Sequence, residues 1–205
     1  MGLPRLVWRG EEPVSTGIFK EPVVGRVKLR TLNLDGDRQA DLSVHGGPEK
    51  AVYLYPSEHY EFWKRELPDM DMPWGMFGEN FTVTGLSEEQ VRIGDQLEVG
   101  SALFAVTQPR MPCYKLGLKF GQDDILKRFL QSGRSGFYLS VLKEGEVAAG
   151  DSIKLTGTDT ASVTVSDITL LYKHPNEFYD LRKRAADLPA LPKSWRAYFN
   201  KQLSS

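Results

Sequence analysis

The sequence predicts a mainly β fold with a few peripheral helices, followed by a small C-terminal three-helix domain. Residues 23–165 contain short β-branched or aromatic runs separated by glycine and proline, the pattern of successive strands and turns. Two phrases there, VRIGDQLEVG and VAAGDSIKLTG, share a Gly-Asp turn followed by an alternating strand. From about residue 166 the apolar residues recur at helical spacing instead. We therefore predict a β domain over residues 1–165 and a helical domain over residues 166–205.

The strand predictions begin at VVGRVKLRT, where three basic residues (Arg26, Lys28 and Arg30) alternate with apolar ones. Further strands are predicted in AVYLY, NFTVTG, DQLEVG, ALFAVTQ, GFYLSVL and DSIKLTG. Many short strands joined by turns that contain glycine or proline favour a closed or sandwich-like β body.

Helices are predicted at two places within the β domain and at three places after it. SEHYEFWKREL begins at Ser57, a residue type common at helix N-caps, and DDILKRFLQSG ends at Gly133. The C-terminal helices are predicted in DITLLYK, NEFYDLRKRAADL and LPKSWRAYFNKQL. Short amphipathic helices do not bury their apolar stripes alone, so these three either cap the β body or dock a partner.

Length and composition exclude several classes of protein. The 205 residues are 40% hydrophobic and 26% charged, with a formal net charge of −1, so neither global disorder nor charge-driven binding to nucleic acid or membranes is expected. No run approaches ~18 consecutive apolar residues, the length of a membrane span, and the N-terminus lacks the apolar core of a signal peptide. A single cysteine agrees with a reducing compartment. We therefore expect a cytoplasmic protein, with a homodimer left open.

The densest group of unusual residues is TQPRMPCYKL, residues 107–116, which follows a predicted strand. Two prolines stiffen this exit loop, and Arg110 and Lys115 flank Cys113 with no acidic residue close by in the chain. Nearby positive charge favours thiolate over thiol, which makes a cysteine a nucleophile or a ligand for a soft metal. The alternative is a small buried hydrophobic residue, since cysteines outside disulfides are often buried.

A second candidate site lies in DLSVHGGPEKAVY, residues 41–53. Gly46 and Gly47 allow a tight turn whose N–H groups, with Lys50 beside them, would bind an anion. His45 is suited to proton transfer. The plainer interpretation is an ordinary Gly-Gly turn next to a surface histidine.

Two further features are weaker. The aromatic, glycine-containing segment 74–83 delivers Glu79 and Asn80 to the start of a strand, where the Asn80 amide can donate and accept hydrogen bonds against the edge of a heterocycle. The alternative there is a β-bulge with polar side chains in solvent. The strand face of Arg26, Lys28 and Arg30, and likewise Arg134, are candidates for an anion clamp if they face the mouth of a barrel, and otherwise belong to solvated surfaces.

Five segments of the chain resemble the motifs of a known family. GDRQADLSVHGGPEKAVYLYPSEHY, FGENFTVTGL, VRIGDQLEV, VTQPRMPCYKLG and GRSGFYLSVLKEGEVAAGD are similar, in order, to the successive motifs of the MOSC domain, the C-terminal domain of molybdenum cofactor sulfurase. More narrowly they resemble the YiiM-type members, in which a three-helix domain follows. The resemblance implies a MOSC-type β-barrel with the helical domain at its side.

The resemblance also implies an activity and a site. Such proteins use a molybdenum cofactor, a metal-bearing molybdopterin, to reduce N-hydroxylated compounds such as hydroxylamino purines and amidoximes, which is a form of detoxification. It implies that Cys113 coordinates molybdenum. His45 is the first candidate for the proton donor to the departing water, and Asp41 is the second. The residues assigned to cofactor binding, most by motif and Arg26 by charge alone, are Asn80, Arg110, Tyr138, Gly46, Gly47, Lys50, Arg26 and Arg134.

A reductase of this kind needs an electron source. The chain has no flavin or nicotinamide fingerprint and too few cysteines for an iron–sulfur cluster, so a separate electron-donor reductase is the expected partner. The C-terminal helices, with a net charge of +3 over residues 166–205, are one place for it to dock. The alternative function is a cofactor carrier or sulfur-transfer protein that uses Cys113 without turnover. A third is a binding module with an inert cysteine.

Overall fold

The computed structural model describes residues 1–40 and 46–204. Its body is a mixed six-stranded sheet that forms a half-barrel. In chain order the described strands are β1 (Arg5–Arg9), β2 (Glu12–Thr16), β3 (Val27–Leu29), β4 (Val52–Pro56), β5 (Phe81–Val83), β6 (Gln96–Val99), β7 (Ala102–Pro109), β8 (Phe137–Lys143), β9 (Gly145–Val147) and β10 (Ile153–Gly157). The main sheet has the order β10-β6-β7-β8-β4-β5, and its neighbours are antiparallel except β4 and β5. The predicted mainly β body with peripheral helices is confirmed.

Helices flank this sheet. Those within the described residues are α1 (Glu58–Glu66), α2 (Tyr114–Phe120), α3 (Ile125–Ser132), α4 (Val165–Lys173), α5 (Tyr179–Asp187) and α6 (Lys193–Leu203). Helix α3 ends at Gly133 in the left-handed conformation, with φ of 70°, as the sequence predicts. Helix α2 begins where the sequence predicts a loop. It was not predicted because its seven residues, beside two prolines, are too few to show a helical stripe.

The two Gly-Asp phrases form strands that pair with each other. One phrase leads into β6 and the other into β10, and these strands run antiparallel with Leu97 opposite Leu155. Gly94 and Gly150 turn with φ of 94° and 90°, a conformation that favours glycine. The predicted strand in AVYLY is also present. All five residues of β4 are buried between β8 and β5, so polar alternation is absent there.

Three segments differ from the strand predictions, and one of them is β9, which lies where no strand is predicted. Only Val27–Leu29 of VVGRVKLRT forms a strand, and it pairs with β9 outside the main sheet. Strands β1 and β2 form a separate antiparallel hairpin before residue 23, where the sequence predicts no strand. Both strands of the hairpin are largely exposed, so no buried face imposes the apolar alternation by which a strand is predicted.

The C-terminal helices pack on one another and on the half-barrel. Ile168 of α4 and Phe199 of α6 are fully buried in the same cluster as Leu97 and Phe104 of the sheet. Because helices and sheet contribute to one core, the proposed division of the chain into two domains stays a prediction. None of the described helices is long and apolar enough to cross a membrane.

A second core consists mainly of aromatic side chains between α1, α3 and the sheet. Tyr55 stacks on Phe77 with ring centroids 4.3 Å apart, and Trp63 and Phe129 pack around them. The indole N–H of Trp63 donates to the hydroxyl of Tyr55 at 2.8 Å. This rigid cluster supports the strands and loops that end at the candidate site.

Candidate functional site

A cleft of about 650 Å³, including the solvent at its mouth, opens where β7 ends and α2 begins. It brings together five residues that the sequence predicts for one site: Cys113, Arg110, Asn80, Tyr138 and Lys50. Its remaining walls include residues 16–18, 39 and 40, together with Lys20 and Asp37.

Cys113 occupies the N-cap position of α2 and is half-buried at the cleft. It is therefore not the deeply buried hydrophobic residue of the alternative interpretation. Arg110 and Lys115, its neighbours in the chain, line the same cleft. The expected setting of one sulfur atom among fixed positive charges is present, and metal coordination by this sulfur stays a prediction.

Arg110 is a buried cation held by several contacts. Its Nη1 donates to the carbonyl oxygen of Phe77 at 2.8 Å, and its guanidinium lies 4.9 Å from the ring centroid of Tyr53 and 5.5 Å from that of Phe129. Burial acts to lower the pKa of Arg110, but Tyr53, Tyr138 and Cys113 together raise this pKa above its usual value. Arg110 therefore keeps its positive charge at the cleft.

Tyr138 reaches the cleft from β8, beside Tyr53 of β4, with ring centroids 5.2 Å apart. Burial raises the pKa of both phenols, and Arg110 acts against that shift. Both therefore remain neutral hydroxyl groups at physiological pH, able to donate a hydrogen bond. The hydroxyl of Tyr53 donates to the carbonyl oxygen of Ser135 at 2.7 Å.

The amide of Asn80 is engaged at both ends by the protein itself. Its Oδ1 accepts from the backbone N–H of Tyr53 at 3.0 Å, and its Nδ2 donates to Oδ2 of Asp37 at 2.9 Å. The sequence predicts that this amide meets a heterocycle. In the structure its oxygen and one amino hydrogen hold the wall of the cleft, and a contact with a heterocycle stays a prediction.

Asp37 and Lys20 are cleft residues that the sequence analysis does not single out. Oδ1 of Asp37 accepts from Nζ of Lys20 at 2.5 Å and from the backbone N–H of Gly2 at 2.8 Å. The side chains of Lys20 and Asp37 are only 8% and 1% exposed. Asp37 falls in the motif GDRQADL, which is a signal for it, whereas no local pattern marks Lys20.

Residues 75–79 form a tight loop organised by the buried carboxylate of Glu79. This carboxylate accepts hydrogen bonds from the backbone N–H groups of Gly75 and Phe77 at 2.8 and 3.1 Å, from Oγ1 of Thr82 at 3.0 Å and from the hydroxyl of Tyr60. These bonds satisfy donors that would otherwise be buried without partners. The loop delivers Gly78 and Asn80 to the cleft.

Gly78 must be glycine for two reasons. Its φ is 78°, a region that side chains with a Cβ rarely adopt. A Cβ atom at this position would also lie 2.7 Å from Cγ1 of Ile18, well inside van der Waals contact. The loop and the segment after β2 therefore pack against each other at backbone distance.

The side chain of Lys119 on α2 connects residues 75–79 to the segment that follows β2. Its Nζ donates to the carbonyl oxygens of Gly75 and Ile18 at 2.5 and 3.1 Å. Burial lowers the pKa of Lys119 to about 8, opposed by Glu79 and reinforced by Arg5, Arg110 and Lys20. Helix α2, which begins after Cys113, is thereby tied to two walls of the cleft.

We expect the low pKa of Lys119 to make folding stability depend on pH. Between pH 8 and its usual pKa of 10.5, the unfolded chain binds more protons than the folded one, so the unfolding free energy rises with pH over that window. Denaturant unfolding of the wild type and of Lys119→Met from pH 7 to 10 measures this. The wild type should gain stability relative to the variant only above about pH 8. A difference that stays constant over the whole range contradicts it.

The structure does not bring every predicted residue to the cleft. The guanidinium of Arg26 is mostly exposed and pairs with Asp151 at 3.3 Å, and that of Arg134 lies 3.8 Å from the ring centroid of Phe62. Neither arginine is among the described residues that line the cleft. The predicted anion clamp is therefore corrected, because Arg26 pairs with Asp151 and the guanidinium of Arg134 packs on Phe62 instead.

The segment around the two glycines is only partly described. Gly47, with φ of 95°, begins the single turn Pro48–Lys50, and Lys50 reaches the cleft, whereas neither Gly46 nor Gly47 belongs to the described lining. Their predicted role in anion binding stays a prediction. Asp41 and His45, the two predicted proton donors, lie outside the described residues.

Comparison with known proteins identifies the family. The sequence pattern of the MOSC domain matches residues 41–154, more than half of the chain. The chain belongs to the MOSC family. The pattern of the YiiM-like 3-alpha helix domain matches residues 163–205, which contain α4, α5 and α6. The MOSC family is associated with binding of the molybdenum cofactor in general.

Relatives support the same membership. The chain is 40% identical to the uncharacterized protein YflK of Bacillus subtilis over 98% of this chain and 91% of that protein. It is 37% identical to YiiM of Escherichia coli over 91% of this chain and 84% of that protein. The chain is 34% identical to a protein of Gibberella moniliformis named Reductase, over 86% of this chain but only 32% of that protein. The crystal structure of YiiM from Geobacillus stearothermophilus superposes with a TM-score of 0.82 at 34% identity. The superposition covers 98% of this chain and 96% of that protein.

Proposed function

We propose that this protein is a molybdenum-cofactor-dependent reductase of N-hydroxylated compounds, such as hydroxylamino purines and amidoximes, acting in the cytoplasm. The observation that carries the proposal is the position of Cys113, half-buried in a cationic cleft of a MOSC-family protein. The name of the fungal relative, Reductase, agrees with an oxidoreductase.

The residues at the cleft fit such a cofactor chemically. A cysteine thiolate is a soft ligand suited to a metal that already carries sulfur, and Lys50, Arg110 and Lys115 provide positive charge for the anionic phosphate and dithiolene groups of a molybdopterin. The cleft is open to solvent at its mouth, so a molybdopterin would be only partly enclosed there. When bound, the cofactor supplies two-electron redox chemistry at its metal.

The chain's own residues have three tasks in this reaction. Cys113 would hold the metal at the start of α2, and Lys50, Arg110 and Lys115 would bind the anionic groups of the cofactor. Reduction of an N–OH group breaks the N–O bond, consumes two electrons and two protons, and releases water. Protons must therefore reach the hydroxyl oxygen, and His45 and then Asp41 remain the proposed donors.

Electrons have to come from another protein. The chain has one cysteine and no nucleotide-binding fingerprint, so we propose a separate reductase as the donor. In the fungal relative about two thirds of the protein lies outside the matched part. The basic C-terminal helices are the proposed docking site for the donor, with small N-hydroxylated compounds as the substrates.

The test combines elemental analysis with turnover. Protein produced in cells able to assemble molybdopterin should contain molybdenum and should steadily reduce an N-hydroxylated purine with an artificial electron donor. Protein that binds molybdenum but does not turn over would instead support a cofactor carrier or sulfur-transfer protein, for which a partly exposed Cys113 is equally suited. Protein without molybdenum would overturn both the reductase and the cofactor carrier.

A further inference from the structure

We propose that Trp195 and Gln108 are positioning residues through which the C-terminal helices hold residues 46–50 at the mouth of the cleft. Trp195 lies on α6 and Gln108 on β7, and both are buried. The significance of this position for cofactor binding rests on the proposed function. The mechanical link itself does not.

The link begins with a directional hydrogen bond. Nε1 of Trp195 donates to Oε1 of Gln108 at 2.9 Å. Because an indole N–H is only a donor, it requires the oxygen end of the Gln108 amide to face the helix. The amino end must then face the opposite way, where Nε2 donates to the carbonyl oxygen of Glu49 at 3.4 Å. One amide thus connects α6 to the segment that carries Lys50.

A second contact strengthens the same end of the link. Oγ1 of Thr107 lies 2.7 Å from the carbonyl oxygen of Glu49 and 3.0 Å from that of Tyr138, and its single hydrogen is donated to one of them at a time. The pairing of β7 with β8 is irregular between Val106 and Gln108. Such irregularities redirect side chains, and here two successive residues, Thr107 and Gln108, reach one carbonyl group.

Glu49 precedes a residue of the cleft, and the link therefore bears on the shape of the site. Glu49 lies in the turn Pro48–Lys50, whose last residue lines the cleft, while Arg110 and Cys113 follow Gln108 along the chain. The link therefore fixes two parts of the cleft relative to each other. Trp195 in turn packs against Tyr172 and Tyr198, with ring centroids 5.9 and 6.0 Å away, so its own position depends on the C-terminal helices.

If Trp195 and Gln108 have a purely structural role, a different result is expected. If Trp195 and Gln108 only attach the helices to the half-barrel, removing their hydrogen bond lowers global stability without loosening residues 46–50. Trp63 provides the matched control. Its indole N–H also makes one buried hydrogen bond, to Tyr55 at 2.8 Å, but it belongs to the other core cluster.

Native-state amide hydrogen exchange of the full chain, read by mass spectrometry over residues 46–53, tests the link. Trp195→Phe removes the first hydrogen bond, and Gln108→Met removes both hydrogen bonds of the amide. We expect exchange in this segment to become about tenfold faster in both variants, because the segment should open locally more often once the link is removed. In Trp63→Phe the segment should exchange as in the wild type.

Two outcomes overturn the proposal. One is unchanged exchange of residues 46–53 in both Trp195→Phe and Gln108→Met while each variant remains folded. The other is equal acceleration in Trp63→Phe, which would reflect global destabilisation. Because this readout needs neither metal nor turnover, it separates the link from the proposed function: loosening in a protein that never binds molybdenum would sustain the link and reject the function.

Discussion

Replacing Cys113 with serine is expected to abolish molybdenum binding while leaving the fold intact. An alcohol is a harder and far less acidic donor than a thiol, so serine cannot supply the soft anionic ligand. Serine is also favoured at a helix N-cap, the position of residue 113 at the start of α2. The half-buried side chain contributes little to the core, and we expect the unfolding free energy to stay within about 1 kcal/mol of the wild type.

Elemental analysis and denaturant unfolding of the same preparations measure both parts. The matched control is Met111→Leu, which removes the other sulfur atom that lines the cleft and conserves apolar volume. We expect this control to retain molybdenum, whereas Cys113→Ser should lose at least nine tenths of it, on the order of a tenfold fall in affinity or more. A serine variant that unfolds yet keeps its metal would make the cysteine a structural residue.

Replacing Glu79 with glutamine is expected to destabilise the protein strongly. The carboxylate is buried and accepts hydrogen bonds from Tyr60, Thr82 and two backbone N–H groups. Glutamine removes the negative charge and turns one acceptor into a donor that faces other donors. Because hydrogen bonds to charged groups contribute most and unsatisfied buried donors are costly, we expect a loss of about 3 kcal/mol or more.

Denaturant unfolding at constant m-value measures this loss. Glu61→Gln is the matched control, since Glu61 is exposed on α1 and pairs only with Lys64 among the contacts described for its side chain, and no measurable change is expected. A loss below about 1 kcal/mol in Glu79→Gln, the typical contribution of one hydrogen bond, would show that the carboxylate does not organise residues 75–79. Asn80 would then need another support.

Most secondary structure could be predicted because its signals are local. Gly133 stops α3 by its own backbone conformation, and the apolar stripes of the three C-terminal helices repeat within each helix. The two Gly-Asp phrases likewise predict strands, and in the structure these strands pair with each other. The hairpin of β1 and β2 and the short helix α2 lacked such signals, because neither has a long buried face.

The candidate site was predictable where its residues are neighbours in the chain. Arg110, Cys113 and Lys115 lie within six positions, so their shared electrostatic setting is a property of the segment. The role of Asn80 was not predictable in this way. Its amide is taken up by Tyr53 and Asp37, 27 and 43 residues away, and no periodicity reports a contact over such a separation.

The sequence by itself determined the class of fold, most of its strands and helices, the cluster around Cys113 and the likeness to a family. These depend on periodicity, turn residues and neighbouring charges, which act over a few positions. Tertiary structure alone decided that Arg26 and Arg134 contact Asp151 and Phe62, that Lys20 and Asp37 line the cleft, and that Trp195 reaches Glu49 through Gln108. Those outcomes depend on which distant segments the packed core brings together, because a side chain's partner is set by position in space.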